Sequence, residues 1–388
     1  MEPVFDPFPP AAVPGSPLAG VDTPALLLDL DAFERNLDRM QAAADAAGVA
    51  LRPHAKAHKC PAVALAQLAR GAVGVCCQKA SEALPFLRAG VRDVHVSNEL
   101  ATPDKARALA RWARHARLSV CVDDALQVQA LAEATREAGT ALGVLVEIDI
   151  GQGRCGVAGA AGVLRLLEQL APHAQLEFRG LQAYQGGLQH LRGRAERREQ
   201  ALRAAARAAD VVAALQARGL RCATVTGGGT GSVEFDLESG VYTELQPGSY
   251  AFMDRDYADN EPGTRLRFEH ALFVATRVMS TAAGTHAVVD AGLKSMSLES
   301  GLPRAWPPGA PWHYTQANDE HGLLTAAARD AAGAGVAAAP PPPPALGSLL
   351  RLVPGHCDPT FNLHDEVVAF RGDRVEAVWP VTARGYSR

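Results

Sequence analysis

A lysine between two histidines is the first group of residues in the sequence that could carry chemistry. The segment LRPHAKAHKC (51–60) places His54 and His58 two residues on either side of Lys56. On an extended chain these alternate positions share one side, so the amine would lie between two imidazoles. Lys56 also follows an apolar run, at the strand end where barrel enzymes build their active sites. A solvated basic loop is the alternative, and the residues alone leave both open.

A glycine-rich segment, TGGGTGS (226–232), could hold a phosphate group. Glycines let backbone N–H groups approach an anion closely, and a helix that starts after them adds a favourable dipole. The segment lacks the lysine of a P-loop and the spacing G-x-G-x-x-G, so an ordinary tight turn is an equal alternative. A second turn of small and hydroxyl residues lies in QPGSYAFMDRDY (246–257).

A histidine and an aspartate two positions apart could bind a metal ion. They are His356 and Asp358 in PGHCDPTFNLHD (354–365), and an extended chain would place both on one face. Imidazole and carboxylate ligands suit a divalent cation such as Zn2+ or Mn2+. Cys357 would point to the opposite side. A turn before Pro359 is the alternative, because such pairs are common.

Arg154 is a fourth candidate, in the segment GQGRCG (151–156) that follows an apolar run. Its guanidinium could face an anionic ligand or solvent. The residues around it do not separate these interpretations.

Eight short apolar runs alternate with helix-forming segments in the first two thirds of the chain. Consecutive apolar positions are typical of strands buried on both faces of a parallel sheet, and the segments between them are rich in Ala, Leu, Arg and Glu. Such repeats predict a (β/α)8 barrel, with a doubly wound open sheet as the alternative. The runs are 25–30, 49–53, 73–77, 93–97, 118–122, 143–149, 177–183 and 223–226.

The chain changes character after about residue 265, where strand-like runs follow one another without long helices. A second, mostly β domain is therefore expected. Its stretch 331–347 is rich in Ala, Gly and Pro and contains five consecutive prolines. That composition predicts polyproline II or a loose surface loop without a chemical role.

Composition excludes several classes of protein. With 388 residues, 48% of them hydrophobic, the chain can bury the cores of two globular domains. A net charge of −4 argues against nucleic-acid binding, and no apolar run reaches the ~18 residues that span a bilayer. Seven scattered cysteines without a C-x-x-C pair indicate reduced thiols, and the N-terminus lacks the features of a signal peptide. We expect a cytoplasmic protein that does not bind membranes.

Ten segments, taken together and in order, resemble the D-threonine aldolase and D-serine dehydratase-like family of pyridoxal-phosphate (PLP) enzymes. The resemblance spans nearly the whole chain and is strongest toward the D-threonine aldolases. The segments are DTPALLLDL (22–30), LRPHAKAHKC (51–60), GVCCQKASEA (74–83), HVSNE (95–99), EIDIGQGRCGV (147–157), GLQAYQGGLQH (180–190), TGGGTGS (226–232), ELQPGSYAFMDRDY (244–257), NDEHG (318–322) and PGHCDPTFNLHD (354–365).

The resemblance implies an alanine-racemase-like architecture, PLP fold type III. A (β/α)8 TIM-type barrel over residues 22–265 would bind PLP. A β-rich domain over residues 266–388, joined by residues 1–21, would carry the metal site. Two chains would form a head-to-tail homodimer with shared active sites.

The resemblance also implies roles for individual residues. Lys56 would form the Schiff base with PLP, with Lys59 as its rival, and the bases to consider would be His54, His58 and His190. The other residues at the cofactor would be Gln78, Arg154, Tyr184, Gly228, Thr230, Gly248, Ser249 and Tyr257.

Within this set, Thr230, Gly248 and Ser249 would hold the phosphate, with the backbone amides of 227–229 nearby. Arg154 would sit near the pyridine ring and disfavour protonation of its nitrogen, which makes PLP a weaker electron sink. The metal at His356 and Asp358 would be Mn2+, with Mg2+, Co2+ or Zn2+ as alternatives.

The reaction implied is aldol cleavage of D-3-hydroxy-amino acids to glycine and an aldehyde, in which the metal lowers the pKa of the substrate hydroxyl. Dehydratases of the group tend to carry His-x-Cys where this chain has His-x-Asp. The alternatives are a D-serine or D-3-hydroxyaspartate dehydratase, a racemase that needs no metal, and a non-catalytic PLP-binding protein, which would be shorter and lack the β domain.

Overall fold

The computed structural model describes residues 9–326 and 341–388. In chain order its strands are β1 (Ala25–Asp29), β2 (Ala50–Leu51), β3 (Val75–Cys77), β4 (Asp93–Val96), β5 (Arg117–Val122), β6 (Leu142–Glu147), β7 (Leu176–Ala183), β8 (Thr224–Gly227), β9 (Glu244–Leu245), β10 (Leu272–Ser280), β11 (His286–Val289), β12 (Arg304–Trp306), β13 (Trp312–Ala317), β14 (Gly322–Ala326), β15 (Leu349–Val353), β16 (Glu366–Arg371) and β17 (Arg374–Pro380).

The helices of the same residues alternate with strands through the first two thirds of the chain. They are α1 (Leu30–Ala47), α2 (Pro61–Leu68), α3 (Ala80–Arg88), α4 (Pro103–Trp112), α5 (Ala125–Ala138), α6 (Gly159–Leu170), α7 (Arg194–Gln216), α8 (Val233–Ser239), α9 (Arg255–Ala258) and α10 (Cys357–Phe361). No helix in the described ranges is both long and apolar enough to cross a membrane.

Eight parallel strands of the described chain form a barrel, in the order β2-β9-β8-β7-β6-β5-β4-β3. A parallel bridge between His54 and Cys76 joins the two ends of this order. The N–H of Val73 also donates to the Leu51 carbonyl (2.9 Å), which closes the sheet between β2 and β3. The (β/α)8 prediction is confirmed, and the open-sheet alternative is wrong.

The first predicted barrel strand does not belong to the barrel. β1, within the predicted run 25–30, pairs antiparallel with β10 and parallel with β16. Its apolar residues are buried on both faces, as in any central strand, so the pattern could not assign its sheet. The eighth barrel strand is instead β9, which has only two residues, one of them Glu244, and therefore does not lie in an apolar run.

The second sheet is mostly antiparallel and confirms the predicted β-rich domain. Over the described residues its main path is β13-β14-β11-β10-β1-β16-β17, with β15 on β10 and β12 on β15. Its core packs Leu27, Phe273 and Val368 against one another. Of the stretch 331–347, residues 331–340 lie outside the described residues, and 341–347 contain no helix or strand.

The described residues form two compact units, which are treated separately below. The β-rich unit contains the described residues of Met1–Glu34, Phe252–Asp256 and Glu269–Val381. The barrel unit contains Arg35–Ala251, Tyr257–Phe268 and Thr382–Arg388. The chain therefore passes between the units several times, whereas the sequence analysis expects a main boundary near residue 265.

Candidate active site

Lys56 lies on a 3-10 turn, Ala55–Ala57, that follows the barrel strand β2. His54 is the N-cap residue of this turn, and its Nδ1 accepts a hydrogen bond from the Lys56 backbone N–H (3.4 Å). The Lys56 side chain is half-buried. It follows the carboxyl end of its strand, where barrel enzymes hold their reactive groups.

Lys59, the rival lysine, is held in a buried ion pair. Its Nζ lies 3.2 Å from Oε1 of Glu82, and the two side chains are only 11% and 3% exposed. Glu82 also accepts hydrogen bonds from the backbone N–H groups of Gln78 (2.8 Å) and Lys79 (3.2 Å). The Lys59 amine is therefore part of a buried ion pair within the protein.

Gln78 connects Glu82 to the histidine that caps the Lys56 turn. Its Nε2 donates to the Ser97 carbonyl (3.2 Å), and the Ser97 hydroxyl lies 3.1 Å from His54 Nε2. His54 is buried, and both of its ring nitrogens now have protein partners. His58 is fully buried, with Nδ1 accepting from the Cys60 N–H (3.0 Å). Both of these predicted bases therefore make hydrogen bonds to other groups of the protein.

The glycine-rich loop after β8 is fixed by the side chain of Gln189. Its Oε1 accepts hydrogen bonds from the N–H groups of Gly231 (2.9 Å) and Ser232 (3.2 Å). Gly228 has a φ of +72°, and a Cβ there would lie 2.6 Å from an oxygen of Asp236, so the loop requires glycine at this position. Nothing in the spacing of Gln189 marks it as functional, so the sequence alone does not predict its role.

Asp236 lies beneath this loop as a buried carboxyl. Burial raises its pKa to about 7, although the Ser232 hydroxyl donates a hydrogen bond to it (2.6 Å). With its pKa raised in this way, the carboxyl adds less negative charge below the loop than an ordinary aspartate would.

The glycine-rich loop contacts the turn that contains Gly248 and Ser249. The Tyr250 N–H donates a hydrogen bond to the Thr230 hydroxyl (3.0 Å), which joins the two segments. Ser249 is buried within this turn. Thr230, Gly248 and Ser249, the predicted phosphate ligands, therefore come from adjoining segments.

The same turn packs directly against the Lys56 turn. A Cβ on Gly248 would lie 2.8 Å from the His54 carbonyl oxygen and 2.9 Å from Ala57 Cβ. Glycine at this position therefore allows a close approach of two backbones. The barrel unit thus brings together three segments that are far apart in the sequence, around Lys56, Gly228 and Gly248.

Arg154 and Tyr184 lie side by side in the barrel unit. The guanidinium carbon is 5.6 Å from the centroid of the Tyr184 ring, within the range of a cation–π contact. A guanidinium nitrogen also lies 3.8 Å from Oε1 of Glu147, the last residue of β6. The Arg154 side chain is 46% exposed, so it can still meet a ligand.

Glu147 also lies next to a second carboxyl. Donor atoms of Glu147, Glu99 and Cys155 all fall within 4.8 Å of one another. Burial first, and then the Glu99 carboxylate, raise the pKa of Glu147 to about 8. Such a pair retains a proton near neutral pH. The sequence analysis missed both carboxyls, although each follows or ends a barrel strand, and that position could have identified them.

His190 and Tyr257 have their rings in contact, with centroids 5.6 Å apart. His190 ends the turn Gly187–His190 and is exposed, while Tyr257 is half-buried. Among the three predicted bases, His190 is therefore the exposed imidazole, in contrast to His54 and His58.

In the β-rich unit, His356 and Asp358 lie where a short helix begins. His356 is the N-cap residue of α10, and its Nε2 is 3.8 Å from Oδ1 of Asp358. Cys357 between them is fully buried, and its thiol donates a hydrogen bond to Oδ1 of Asp358 (3.4 Å). The prediction that Cys357 points to the opposite side is therefore wrong, because the helix that begins here does not alternate its side chains as an extended chain would. The other ring nitrogen of His356, Nδ1, is hydrogen-bonded to Glu299, which the sequence analysis missed.

Carboxylates surround this imidazole. Burial lowers the pKa of His356, but the carboxylates of Asp358, Asp254 and Glu299 outweigh it, so that the net shift is upward. Asp254 is fully buried and accepts a hydrogen bond from the Cys357 N–H (2.9 Å). A field of this sign attracts cations to the His356 ring.

Residues 28–256 match the family of the alanine racemase N-terminal domain, and residues 271–370 match the putative serine dehydratase domain. A D-threonine aldolase from an Arthrobacter species is 54% identical over 98% of this chain and 97% of its own. A 3-hydroxy-D-aspartate aldolase from Paracoccus denitrificans (strain Pd 1222) is 45% identical over 96% of this chain and 95% of its own. The crystal structure of D-threonine aldolase from Filomicrobium marinum has a TM-score of 0.92 at 49% identity and covers 98% of this chain and 100% of that one.

Proposed function

The chain belongs to the D-threonine aldolase family, and we propose that it cleaves D-3-hydroxy-amino acids to glycine and an aldehyde. In this proposal it is a carbon–carbon lyase with PLP on Lys56 and a divalent metal at His356 and Asp358. The observation that carries the proposal is the assembly of the Lys56 turn, the Gly248 turn and the glycine-rich loop in the barrel unit.

The barrel residues fit PLP. A phosphate needs hydroxyl and amide donors next to backbone that can approach closely, and Thr230, Ser249 and Gly248 supply them on adjoining segments. The amine that would bind the cofactor aldehyde is on the neighbouring turn, at Lys56, while Lys59 is engaged by Glu82. When bound, PLP supplies an electron sink for the bond that breaks at the substrate Cα.

The remaining predicted cofactor residues would surround the ring. Arg154, which contacts the Tyr184 ring and the Glu147 carboxyl, would face the pyridine nitrogen and keep it unprotonated. Tyr257 and Gln78 would line the same site. An arginine suits the position next to the pyridine nitrogen because its guanidinium does not give up a proton.

We infer that His190 accepts the proton of the substrate hydroxyl. It is exposed and lies against the ring of Tyr257. His54 already uses both ring nitrogens within the protein, and His58 is fully buried. A base must reach the proton that it removes, which favours the exposed imidazole.

The residues of the β-rich unit fit a divalent metal. The 3.8 Å between His356 Nε2 and Asp358 Oδ1 is less than the roughly 4.2 Å that two ligand bonds of about 2.1 Å can span. One nitrogen and one oxygen ligand suit Mn2+ best in this proposal, with Mg2+, Co2+ or Zn2+ as alternatives. When bound, such an ion would lower the pKa of a coordinated hydroxyl.

We also infer a head-to-tail homodimer in the cytoplasm. The support for the dimer is the family resemblance. The support for the compartment is that all seven cysteines, which lie in the described residues, are free thiols.

The decisive experiment is product analysis. D-Threonine, D-serine and D-3-hydroxyaspartate are incubated with the protein, PLP and Mn2+, and the products are identified. We expect glycine with an aldehyde from D-threonine. A second candidate, dehydration, is favoured by the match of residues 271–370 to the putative serine dehydratase domain, and it would give ammonia with a 2-oxo acid. Activity that survives exhaustive chelation and dialysis would remove the metal from the proposal.

A further inference from the structure

The side chain of Glu299 is hydrogen-bonded to Nδ1 of His356, the nitrogen that does not face Asp358. We propose that Glu299 is a positioning residue that holds the proton on Nδ1 of His356 and thereby presents Nε2 to a divalent cation. The inference rests on the proposed function, because it concerns the proposed metal ligands. It adds a residue that lies 57 positions away in the sequence and belongs to no motif.

Glu299 is held in place before any ligand arrives. The hydroxyl groups of Ser297 and Ser300 donate hydrogen bonds to its two carboxylate oxygens. The Ser297 N–H donates to the Thr360 hydroxyl (3.2 Å), which in turn donates to the His356 carbonyl (2.7 Å). The loop that carries Glu299 is therefore tied to the first turn of α10.

The chemistry follows from the two nitrogens of imidazole. A neutral ring has one N–H and one lone pair, and the partner of one nitrogen decides which atom is left for a ligand. A carboxylate accepts but cannot donate, so Glu299 selects the tautomer with the proton on Nδ1. Nε2 then keeps its lone pair on the side of Asp358 Oδ1, 3.8 Å away. A carboxylate in this position also makes the imidazole a stronger ligand.

The test is the affinity for Mn2+, measured by electron paramagnetic resonance on the full chain loaded with PLP and stripped of metal. Glu299→Ala should weaken Mn2+ binding roughly 10- to 100-fold, as outer partners of metal-bound histidines do elsewhere. Glu299→Gln should have a smaller effect, because its amide oxygen still accepts the Nδ1 proton but has no charge. The matched control is Glu320→Gln, since Glu320 is a similarly exposed carboxylate, 59% against 51%, and pairs with Lys294.

A second readout is the tautomer of His356, from 15N chemical shifts of histidine-labelled protein without metal. Wild type should carry the proton on Nδ1 when the ring is neutral, and Glu299→Gln should retain this while Glu299→Ala should not. If the alanine variant does not fold, as judged by circular dichroism, Glu299→Gln provides the affinity test.

The outcomes separate the inference from the proposed function. Wild-type Mn2+ affinity in Glu299→Ala, together with lost affinity in His356→Ala, would overturn the role of Glu299 and leave the metal site standing. Wild-type affinity in His356→Ala and Asp358→Ala would overturn the metal site itself. Equal losses in the Glu299 and Glu320 variants would reduce the effect to general surface charge and would also overturn the role.

Discussion

Two carboxylates bind basic side chains, one in each unit, with different consequences. In the barrel unit Glu82 holds Lys59, and the side chains of this pair are almost wholly buried. In the β-rich unit Glu299 is half exposed and holds only Nδ1 of His356. An ammonium has one nitrogen and an imidazole has two. In our proposal, the same kind of contact gives Lys59 a structural role and orients His356 toward a metal ion.

The comparison is tested most severely at Lys56, the lysine that we assign to PLP. Lys56→Ala should lose the absorption band of the lysine–PLP Schiff base near ~420 nm and lower kcat by roughly 10^3-fold or more. Absorption spectra of the PLP-loaded protein and kcat with D-threonine measure both effects. A band that persists in this variant and disappears in Lys59→Ala would reverse the assignment of the two lysines.

Removal of His356, in the β-rich unit, should leave the PLP absorption spectrum unchanged, in contrast to Lys56→Ala. His356→Ala should lower kcat by about 10^2- to 10^3-fold, because a metal contributes several kcal/mol to stabilising the transition state. The band near ~420 nm should remain, since His356 lies outside the barrel residues that we assign to PLP. Loss of the band here would contradict the division of roles between the units.

The Lys59–Glu82 pair should affect stability more than chemistry. Lys59→Met leaves Glu82 buried without its cation, which should cost about 3–5 kcal/mol in the free energy of unfolding. Lys294→Met, which removes the exposed pair with Glu320, should cost only about 0–1 kcal/mol. Urea unfolding of both variants provides the measurement. Equal costs would mean that burial does not distinguish the two pairs.

The smallest change in stability should come from Glu147. Its carboxyl lies next to the carboxyl of Glu99, whereas Glu82 lies next to a lysine. The pKa of Glu147 is raised by burial and by Glu99 to about 8, so the folded chain keeps a proton that the unfolded chain releases. The stability that this proton provides is full below the unfolded pKa, near 4.5, and is lost as pH rises toward 8. Glu147→Gln, which does not titrate, should therefore be more stable than wild type at pH 8 by on the order of 1–3 kcal/mol.

The free energy of unfolding of Glu147→Gln and of wild type, measured again at pH 5, tests the same prediction further. The difference between Glu147→Gln and wild type should shrink there, because pH 5 lies just above the unfolded pKa near 4.5, where only a small part of the pH-dependent loss of stability has occurred. A difference that does not change with pH would show that Glu147 is ionised in the folded protein.

Sequence reasoning identified the fold through strands that are long enough to have a pattern. β6 and β7, with six and eight residues, were placed almost to the residue. β9 has two residues and gives no pattern, and β1 has the same apolar pattern as a barrel strand although it belongs to the other sheet. A local apolar pattern predicts that a strand is buried, but it does not predict which sheet the strand joins.

The candidate site divides in the same way. Lys56 and the His356–Asp358 pair lie in short contiguous segments, so their spacing alone could suggest chemistry. Glu82 and Glu299 act through contacts with residues far along the chain, 23 and 57 positions away, and only the folded chain brings them together. The reactivity of a side chain depends on such partners. The spacing of residues therefore identifies two candidate lysines, Lys56 and Lys59, and does not choose between them.

The pairing of β1 with β16 has a consequence for how the chain is made. Leu26 leaves the ribosome 341 residues before its parallel partner in the sheet, Val367. All eight barrel strands are therefore synthesised while the apolar strand β1 still lacks its parallel neighbour, β16. A nascent chain that stalls before residue 366 leaves the edge of β1 that pairs with β16 without a partner. We therefore expect translation pauses or stops before that residue to yield aggregates and not a soluble barrel.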